Sequence, residues 1–390
     1  MYPLQLRLGH EPGRGLAGRK DSTRRALRTL MRALVAMSGG VDSSVAAALM
    51  LEQGYDVIGV TLKQWEGADG SMPTAGCCTL SDAEDARRVA AQLDIPYYVL
   101  DYVEEFTKAV VEPFAAGYLN GLTPNPCIEC NRMVRFSALL ERTEALGCDV
   151  LVTGHHARVV EDGDLYRLAK AVDATKDQSY VLHMLDQYAL SKIRLPVGEM
   201  TKTEVRARAG QLGLRTASKP DSQDICFVAS GDYRDFLSER HPRAGAPGEV
   251  LDMNGNVIGE HAGTAGFTIG QRKGLGVAVG SPRYVLDIEP TKQTITIGTY
   301  EDLLTTRCVV TEMSFTDRAP GVGDRVGVKV RYRSEPVDAD IVAVGDRWEF
   351  TFVEPQPRPA PGQSLVMYVG EFVLGGGIII DDRSSVTAVL

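Results

Sequence analysis

The sequence predicts an α/β protein: a doubly wound parallel-sheet domain, then a small β-rich domain and a C-terminal β-barrel. Three observations carry this. From residue 31 to about 225, apolar runs too short for helices alternate with helical patterns. The first junction between them, Met37 to Ser44, passes from strand to helix through a small glycine-bearing turn. Beyond about 225 the segments become short and β-branched, bounded by glycine or proline.

Composition sets the frame. A chain of 390 residues with 44% hydrophobic and 24% charged residues reads as soluble and globular, with two or three domains. It holds no apolar run long enough to span a bilayer, so no membrane partner is expected. The net charge of −9 argues against indiscriminate nucleic-acid binding and leaves room for a local basic groove. Seven cysteines, at 77, 78, 127, 130, 148, 226 and 308, form an odd, uneven set that points to reduced thiols, metal or catalysis rather than a disulfide framework. Residues 1–30 carry Arg7, Arg14, Arg19, Lys20, Arg24, Arg25 and Arg28 without an apolar core, and are expected to be a disordered basic extension. Met31 sits where the first strand begins.

In order, the first strand covers the run ending at Met37, and Ser38-Gly39-Gly40-Val41-Asp42-Ser43-Ser44 opens a helix that closes at Gly54. Such a junction aims backbone N–H groups and the positive end of a helix dipole at one spot, which suits a phosphate chain. Gly39 and Gly40 allow close approach, and Ser38, Ser43 and Ser44 offer hydroxyls. No lysine follows the glycines, so the loop is expected to hold a nucleotide without one, with pyrophosphate as leaving group. Tyr55 to Thr61 reads as the second strand. Ser81-Asp82-Ala83-Glu84 reads as a capping box opening a helix to Leu93. Further strands are expected at Tyr97–Leu100 and Asp149–Thr153, with helices near 103–119 and 131–146. Ligands of such sheets bind at the carboxyl ends of the strands, which singles out Ser38 to Ser43, Leu62 and Gly154. Thr201-Lys202-Thr203-Glu204 caps one more helix, closing at Gly213. Later strands are expected at Gly266–Gly270, Arg283–Ile288 and Thr294–Gly298, and in the barrel at Val326–Tyr332, Trp348–Phe352 and Ser364–Tyr368. Pro355 to Pro361 reads as a loop.

The second chemical feature is Thr123-Pro124-Asn125-Pro126-Cys127-Ile128-Glu129-Cys130-Asn131. Two prolines stiffen it, and Cys130 is expected at a helix start, where the dipole favours thiolate. Cys226 follows in Asp221-Ser222-Gln223-Asp224-Ile225-Cys226-Phe227. A lone Cys-x-x-Cys also fits half a zinc knuckle or two buried small residues. Cys77 and Cys78 read as a loop pair, Cys148 and Cys308 as buried bystanders, and His155 and His156 as residues beside the nucleotide.

Ser-Gly-Gly-Val-Asp-Ser-Ser resembles the PP-loop of ATP pyrophosphatases. Together with the Asn-Pro-x-x-x-Cys-Asn loop, Thr153-Gly154-His155, Lys176-Asp177-Gln178-Ser179-Tyr180, Asp221 to Phe227, Gly270-Gln271-Arg272-Lys273-Gly274-Leu275, Arg331-Tyr332 and Pro361-Gly362-Gln363, it resembles the tRNA-specific 2-thiouridylase family in order, across nearly the whole chain. The resemblance implies a PP-loop catalytic domain at 31–225, a central tRNA-contacting domain at 226–300 and a barrel at 301–390. It implies ATP with magnesium, and 2-thiolation of the wobble uridine of tRNAs for lysine, glutamate and glutamine. Sulfur would come from a cysteine desulfurase or relay protein, in the cytoplasm. Ala36, Met37, Ser38, Gly39, Gly40, Val41, Asp42, Ser43, Leu62 and Gly154 would bind ATP, Cys130 would be the nucleophile and Cys226 the persulfide carrier. Asn125, Pro126 and Cys127 would meet the target base, and His155, Lys176, Asp177, Gln178, Arg331, Tyr332 and Gln363 the tRNA. One departure matters: the commonest family version has aspartate at the position of Cys127. The resulting trio of Cys127, Cys130 and Cys226 could ligate an iron–sulfur cluster, with the persulfide route favoured. On the residues alone, a ligase for another acceptor and a zinc-stabilised RNA-binding protein stay open.

Overall fold

The computed structural model describes residues 30–66, 79–221, 225–228, 232–277 and 280–381. Residues 1–29, Cys77, Cys78 and Ser222 to Asp224 lie outside these. Strands β1 (Arg32–Ala36), β2 (Asp56–Lys63), β3 (Tyr97–Asp101), β4 (Val150–Val152), β5 (Ala157–Asp162), β6 (Leu165–Lys170) and β7 (Ile193–Arg194) come first. β3-β2-β1-β4-β7 form a parallel sheet in that order, with Leu34 opposite Ile58 and Leu151. β1 is apolar at consecutive positions because both faces are covered. Ala33 and Val35 pack with Val45 and Ala46 of helix α1 (Val41–Glu52) and Ala86 of helix α2 (Leu80–Gln92), whereas Leu34 packs with Phe106, Phe114 and Leu139 on the opposite face.

Strands β8 (Gly248–Leu251), β9 (Val257–His261), β10 (Tyr284–Glu289) and β11 (Thr294–Gly298) make a second sheet ordered β10-β11-β8-β9. Strands β12 (Leu304–Phe315), β13 (Arg325–Lys329), β14 (Val337–Ala343), β15 (Trp348–Pro357), β16 (Ser364–Val369) and β17 (Phe372–Ile380) run in the order β12-β15-β14-β13-β16-β17, and β12 pairs with β17 to close the barrel. Its interior holds Val310, Val328, Phe350, Phe352 and Met367. The β5–β6 hairpin, unsuspected in the sequence, hangs on the barrel through Phe372 opposite Ala169.

Four expectations are corrected. The capping box of α2 is Thr79 with Asp82, one register earlier than Ser81 with Glu84: the Thr79 hydroxyl accepts from the Asp82 N–H at 3.1 Å. Gly266–Gly270 is not a strand, since a 3₁₀ turn occupies Thr264–Gly266 and Gly270 sits at φ +81°. β15 continues through Pro355 and Pro357, tolerated because the pairing shifts register between Thr305 and Arg307 and relaxes the ladder there. β13 stops at Lys329, leaving Arg331 and Tyr332 in the bend after it.

Candidate active site

β1 ends beneath the Ser38–Ser43 loop, where the Thr61 hydroxyl donates to the Met37 carbonyl at 2.6 Å. Gly39 takes φ +72°, and a Cβ there would lie 2.2 Å from the Asp82 carbonyl oxygen, so glycine is required twice over. Gly40 is the N-cap of α1 and needs no such exception. Its carbonyl accepts from the Ser43 and Ser44 hydroxyls at 3.2 and 2.8 Å, and Ser43 Oγ accepts from the Ser38 N–H at 3.1 Å. Gly154, just past β4, presses on the N-terminus of α1, where a Cβ would meet the Ser43 nitrogen at 2.6 Å. Ala36, Val41 and Leu62 line the same strand ends, Leu62 buried near the end of β2.

The loop carries no lysine of its own, yet two reach it from distant sequence. Lys219 Nζ donates to the Gly39 carbonyl at 3.0 Å while bridging Asp82 and Asp85 at 2.7 and 2.8 Å. Lys202 Nζ lies 2.8 and 2.7 Å from the two Asp42 oxygens and 2.9 Å from Asp221. His156 Nε2 stands 3.1 Å from Asp42. Burial pushes the Asp42 carboxyl up, but the His156 and Lys202 hydrogen bonds outweigh it and hold it below the usual range. Asp221 also pairs with Lys176 at 2.8 Å and Arg206 at 2.7 Å. Burial opposes its ionisation, the lysines prevail, and it is lowered to about 2. The loop thus sits in a fixed ionic lattice tied to the segment that leads to Cys226.

The cysteine loop differs from expectation in one respect. Its helix begins at Pro126, capped by Asn125, whose Oδ1 accepts from the N–H groups of Cys127 and Ile128 at 3.1 and 3.4 Å. Cys127 therefore occupies the first turn and is exposed. Cys130 lies a turn further in, where the helix continues as a π-helix over Cys130–Ala138, and is buried. Gln64, directly after β2, donates from Nε2 to Cys130 Sγ at 3.2 Å. Cys226 is half-buried and packs on the same apolar cluster that contains Cys130. Its neighbour Phe227 anchors it, with ring contacts to Phe106, Phe114 and Phe236 at 5.8, 5.2 and 5.2 Å. Cys148 and Cys308 are buried, and burial pushes the Cys148 thiol up.

Of the residues expected at the RNA, Asp177, Tyr332 and Gln363 lie along the seam between this domain and the barrel, which Ser179–Tyr368, Tyr180–Tyr332 and Thr123–Gln363 contacts mark. Asp177 caps its own turn, accepting from Ser179 Oγ at 2.9 Å, and Gln178 Oε1 accepts from the His156 N–H at 2.8 Å. His155 is buried and bonded to the Thr153 hydroxyl at 2.8 Å. Burial first, then Arg135 and His156, lower it to about 3, so it is neutral. Tyr332 contacts the Tyr180 ring at 6.0 Å across the seam. Arg331 and Gln363 border a cavity of about 320 Å³ where Thr123, Gly270 and Gln271 also meet. Gln64, Lys202 and Lys219 were invisible as site residues in the sequence; the only available signal was that Gln64 follows a strand end.

Comparison with known proteins is informative. Family models described as tRNA methyl transferase HUP domain, tRNA methyl transferase PRC-barrel domain and aminomethyltransferase beta-barrel domain match residues 31–230, 234–299 and 305–379. The tRNA-specific 2-thiouridylase MnmA of Heliobacterium modesticaldum is 48% identical over 361 residues, covering 89% of this chain and 92% of that one. The protein of the same name from Chloroflexus aggregans is 47% identical over 349 residues, covering 89% and 97%. The chain belongs to the tRNA-specific 2-thiouridylase family. As a 2-thiouridylase of this family it is a tRNA sulfurtransferase with a PP-loop ATP-binding domain, and tRNA is its substrate. Among the described residues no helix is long and apolar enough to cross a membrane.

Proposed function

We propose that this 2-thiouridylase modifies the wobble uridine, position 34, of tRNAs for lysine, glutamate and glutamine in the cytoplasm, using MgATP and a cysteine persulfide. The observation that carries the reading is convergence. The strand-end loop of β1 and the Gln64–Cys130 pair at the end of β2 lie at the carboxyl edge of one parallel sheet, and Cys226 packs on the apolar cluster that contains Cys130.

Residues Ala36 to Ser43, with Leu62 and Gly154, would hold ATP, the loop N–H groups and the α1 dipole facing its phosphates. The uracil C2 oxygen attacks the α-phosphorus and pyrophosphate leaves, which turns that oxygen into part of an AMP leaving group. The terminal sulfur of a Cys226 persulfide, loaded by a cysteine desulfurase or relay protein, then attacks C2 and expels AMP. Cys130 thiolate, held by Gln64, attacks Cys226 Sγ; the C2–S bond is kept, the S–S bond breaks, and a cellular thiol reductant reopens the resulting Cys130–Cys226 disulfide. Asn125, Pro126 and Cys127, at the exposed helix start, meet the target base once it has left the anticodon stack. His155, Lys176, Asp177, Gln178, Arg331, Tyr332 and Gln363 contact the tRNA around it. We propose the persulfide route rather than an iron–sulfur cluster on Cys127, Cys130 and Cys226. Among the described residues no three His, Cys, Asp or Glu side chains gather as metal ligands, and Cys127 is exposed while Cys130 is buried.

The test is nucleoside mass analysis of unmodified lysine tRNA after incubation with the protein, ATP, magnesium and a persulfide donor. ATP-dependent 2-thiouridine is expected, and its loss in Cys130→Ser and Cys226→Ser. Release of AMP and pyrophosphate without 2-thiouridine would transfer the chemistry to another acceptor and overturn the proposal.

A further inference from the structure

β13 ends on Lys329, which is only 8% exposed, yet among the described residues its ammonium has no hydrogen bond and no ion pair. Its Nζ lies 6.0 Å from the centre of the Tyr368 ring. Lys170, at the end of β6, places its Nζ 4.8 Å from the same ring and likewise has no carboxylate within ion-pair distance among the described residues. One aromatic ring thus serves two ammoniums, a weaker partner than a carboxylate would be for either. Asp177 and Glu335 act on Lys329 only from beyond contact, and the Asp177 oxygens are taken by the Ala171 and Ser179 N–H groups and the Ser179 hydroxyl. Burial first, with the Lys170 charge adding to it, disfavours the Lys329 cation. Holding a mostly buried lysine without a counter-charge beside a like charge costs stability unless an anion joins them.

The surroundings say which anion. The Tyr368 hydroxyl lies 3.2 Å from Ser179 Oγ, tying the lysine pair to the Lys176–Gln178 segment. Lys329 is followed by Arg331 and Tyr332, and Tyr332 touches Tyr180 across the seam. The pair therefore sits where the two strips proposed to meet RNA come together. We propose that Lys170 and Lys329 form a phosphate site that receives a backbone phosphodiester of the bound tRNA. This rests on the reading of those strips as the RNA-binding surface, and it adds a site that helps position the anticodon arm without entering the chemistry.

The experiment is tRNA affinity against salt for the full chain and for Lys170→Met and Lys329→Met, with thermal unfolding alongside. Each variant should flatten the slope of log affinity against log salt by about 0.7–0.9, the contribution of one neutralised phosphate. Lys329→Met should at the same time raise the melting temperature, since methionine fills the buried stem without the charge. A lysine with a purely structural role would lower the melting temperature and leave the slope unchanged, and that result overturns the proposal. Inorganic phosphate titrated by calorimetry distinguishes a free anion: phosphate binding that is lost in both variants while the tRNA slope is unaltered would assign the site to a small phosphate ion instead. Wild-type protein whose tRNA binding is independent of salt would refute the RNA-surface reading itself.

Discussion

Replacing Asp221 by asparagine probes the ionic lattice that joins the nucleotide loop to the cysteine segment. The carboxylate accepts from Lys176, Lys202 and Arg206 at 2.8, 2.9 and 2.7 Å, and Arg206 also holds the Ala217 and Lys219 carbonyls. Its displacement from 3.8 to about 2 corresponds to roughly 2.5 kcal/mol at most, and solvent access to these side chains brings the expected loss in Asp221→Asn to about 1–2 kcal/mol at pH 7. The sign follows from proton binding. The native state holds this proton less tightly than the unfolded chain, so the contribution is complete above about pH 5. It is lost as pH falls toward 2, with about half gone by pH 3. Urea unfolding of wild type and variant at pH 7, 5, 4 and 3 should show a gap that closes on acidification. A gap that is absent at pH 7, or the same at every pH, would refute the reasoning.

Two further outcomes follow from buried polar groups. Gln64→Leu removes the donor on Cys130 Sγ; a hydrogen bond to a charged sulfur is worth about 1.5–3 kcal/mol, so single-turnover sulfur transfer should slow roughly 10- to 100-fold while pyrophosphate release is kept. Equal transfer rates in the two proteins would remove Gln64 from the mechanism. His183 is fully buried with both ring nitrogens unpartnered among the described residues, and burial, then Arg132, lowers it to about 3. Its neutral native form means that stability is present above the ordinary histidine range and falls as pH drops from 6.5 toward 3. His183→Leu should therefore flatten the dependence of unfolding free energy on pH between 6 and 4 by about 1.4 kcal/mol per pH unit, and an unchanged slope by urea titration would contradict the assignment.

Much of this was legible because it is local. The strand, the Gly39 turn and α1 are written in contiguous residues, as is the Thr201–Glu204 capping box, which forms as expected with the Thr201 hydroxyl accepting at 3.3 Å. The α2 box slipped because Thr79 and Ser81 both precede an acid at the right spacing, and packing of Ala83, Ala86 and Val89 on the sheet decides between them. The lysines at the loop could not be read at all. Lys202 lies 160 positions from Asp42 in sequence and Lys219 lies 180 from Gly39, and only the sheet order that sets β4 and β7 beside β1 delivers them. The β5–β6 hairpin was missed for a related reason: its alternation is weak and its partner strand is β17, at the far end of the chain.

The helix start at Pro126 changes what the two clustered cysteines can do. Had Cys130 opened the helix, the dipole would have been its activating group and Cys127 would have lain outside in the loop. Instead Cys127 takes the exposed first turn under the Asn125 cap, and Cys130 takes the next turn, buried against Gln64. Residues three apart on a helix are neighbours, so the pair samples one location through two environments. The nucleophile of the proposed mechanism must survive between turnovers and is better kept from solvent and oxidant, which suits the buried Cys130. Cys127 is the exposed one of the two, the position proposed to meet the base, and its charge acts on Tyr332, whose phenol is pushed up by burial, then by Asp177 and Cys127. In the proposed mechanism Cys127 thus falls on the side of the site that would receive substrate, and Gln64, Cys130 and Cys226 on the side that would handle sulfur.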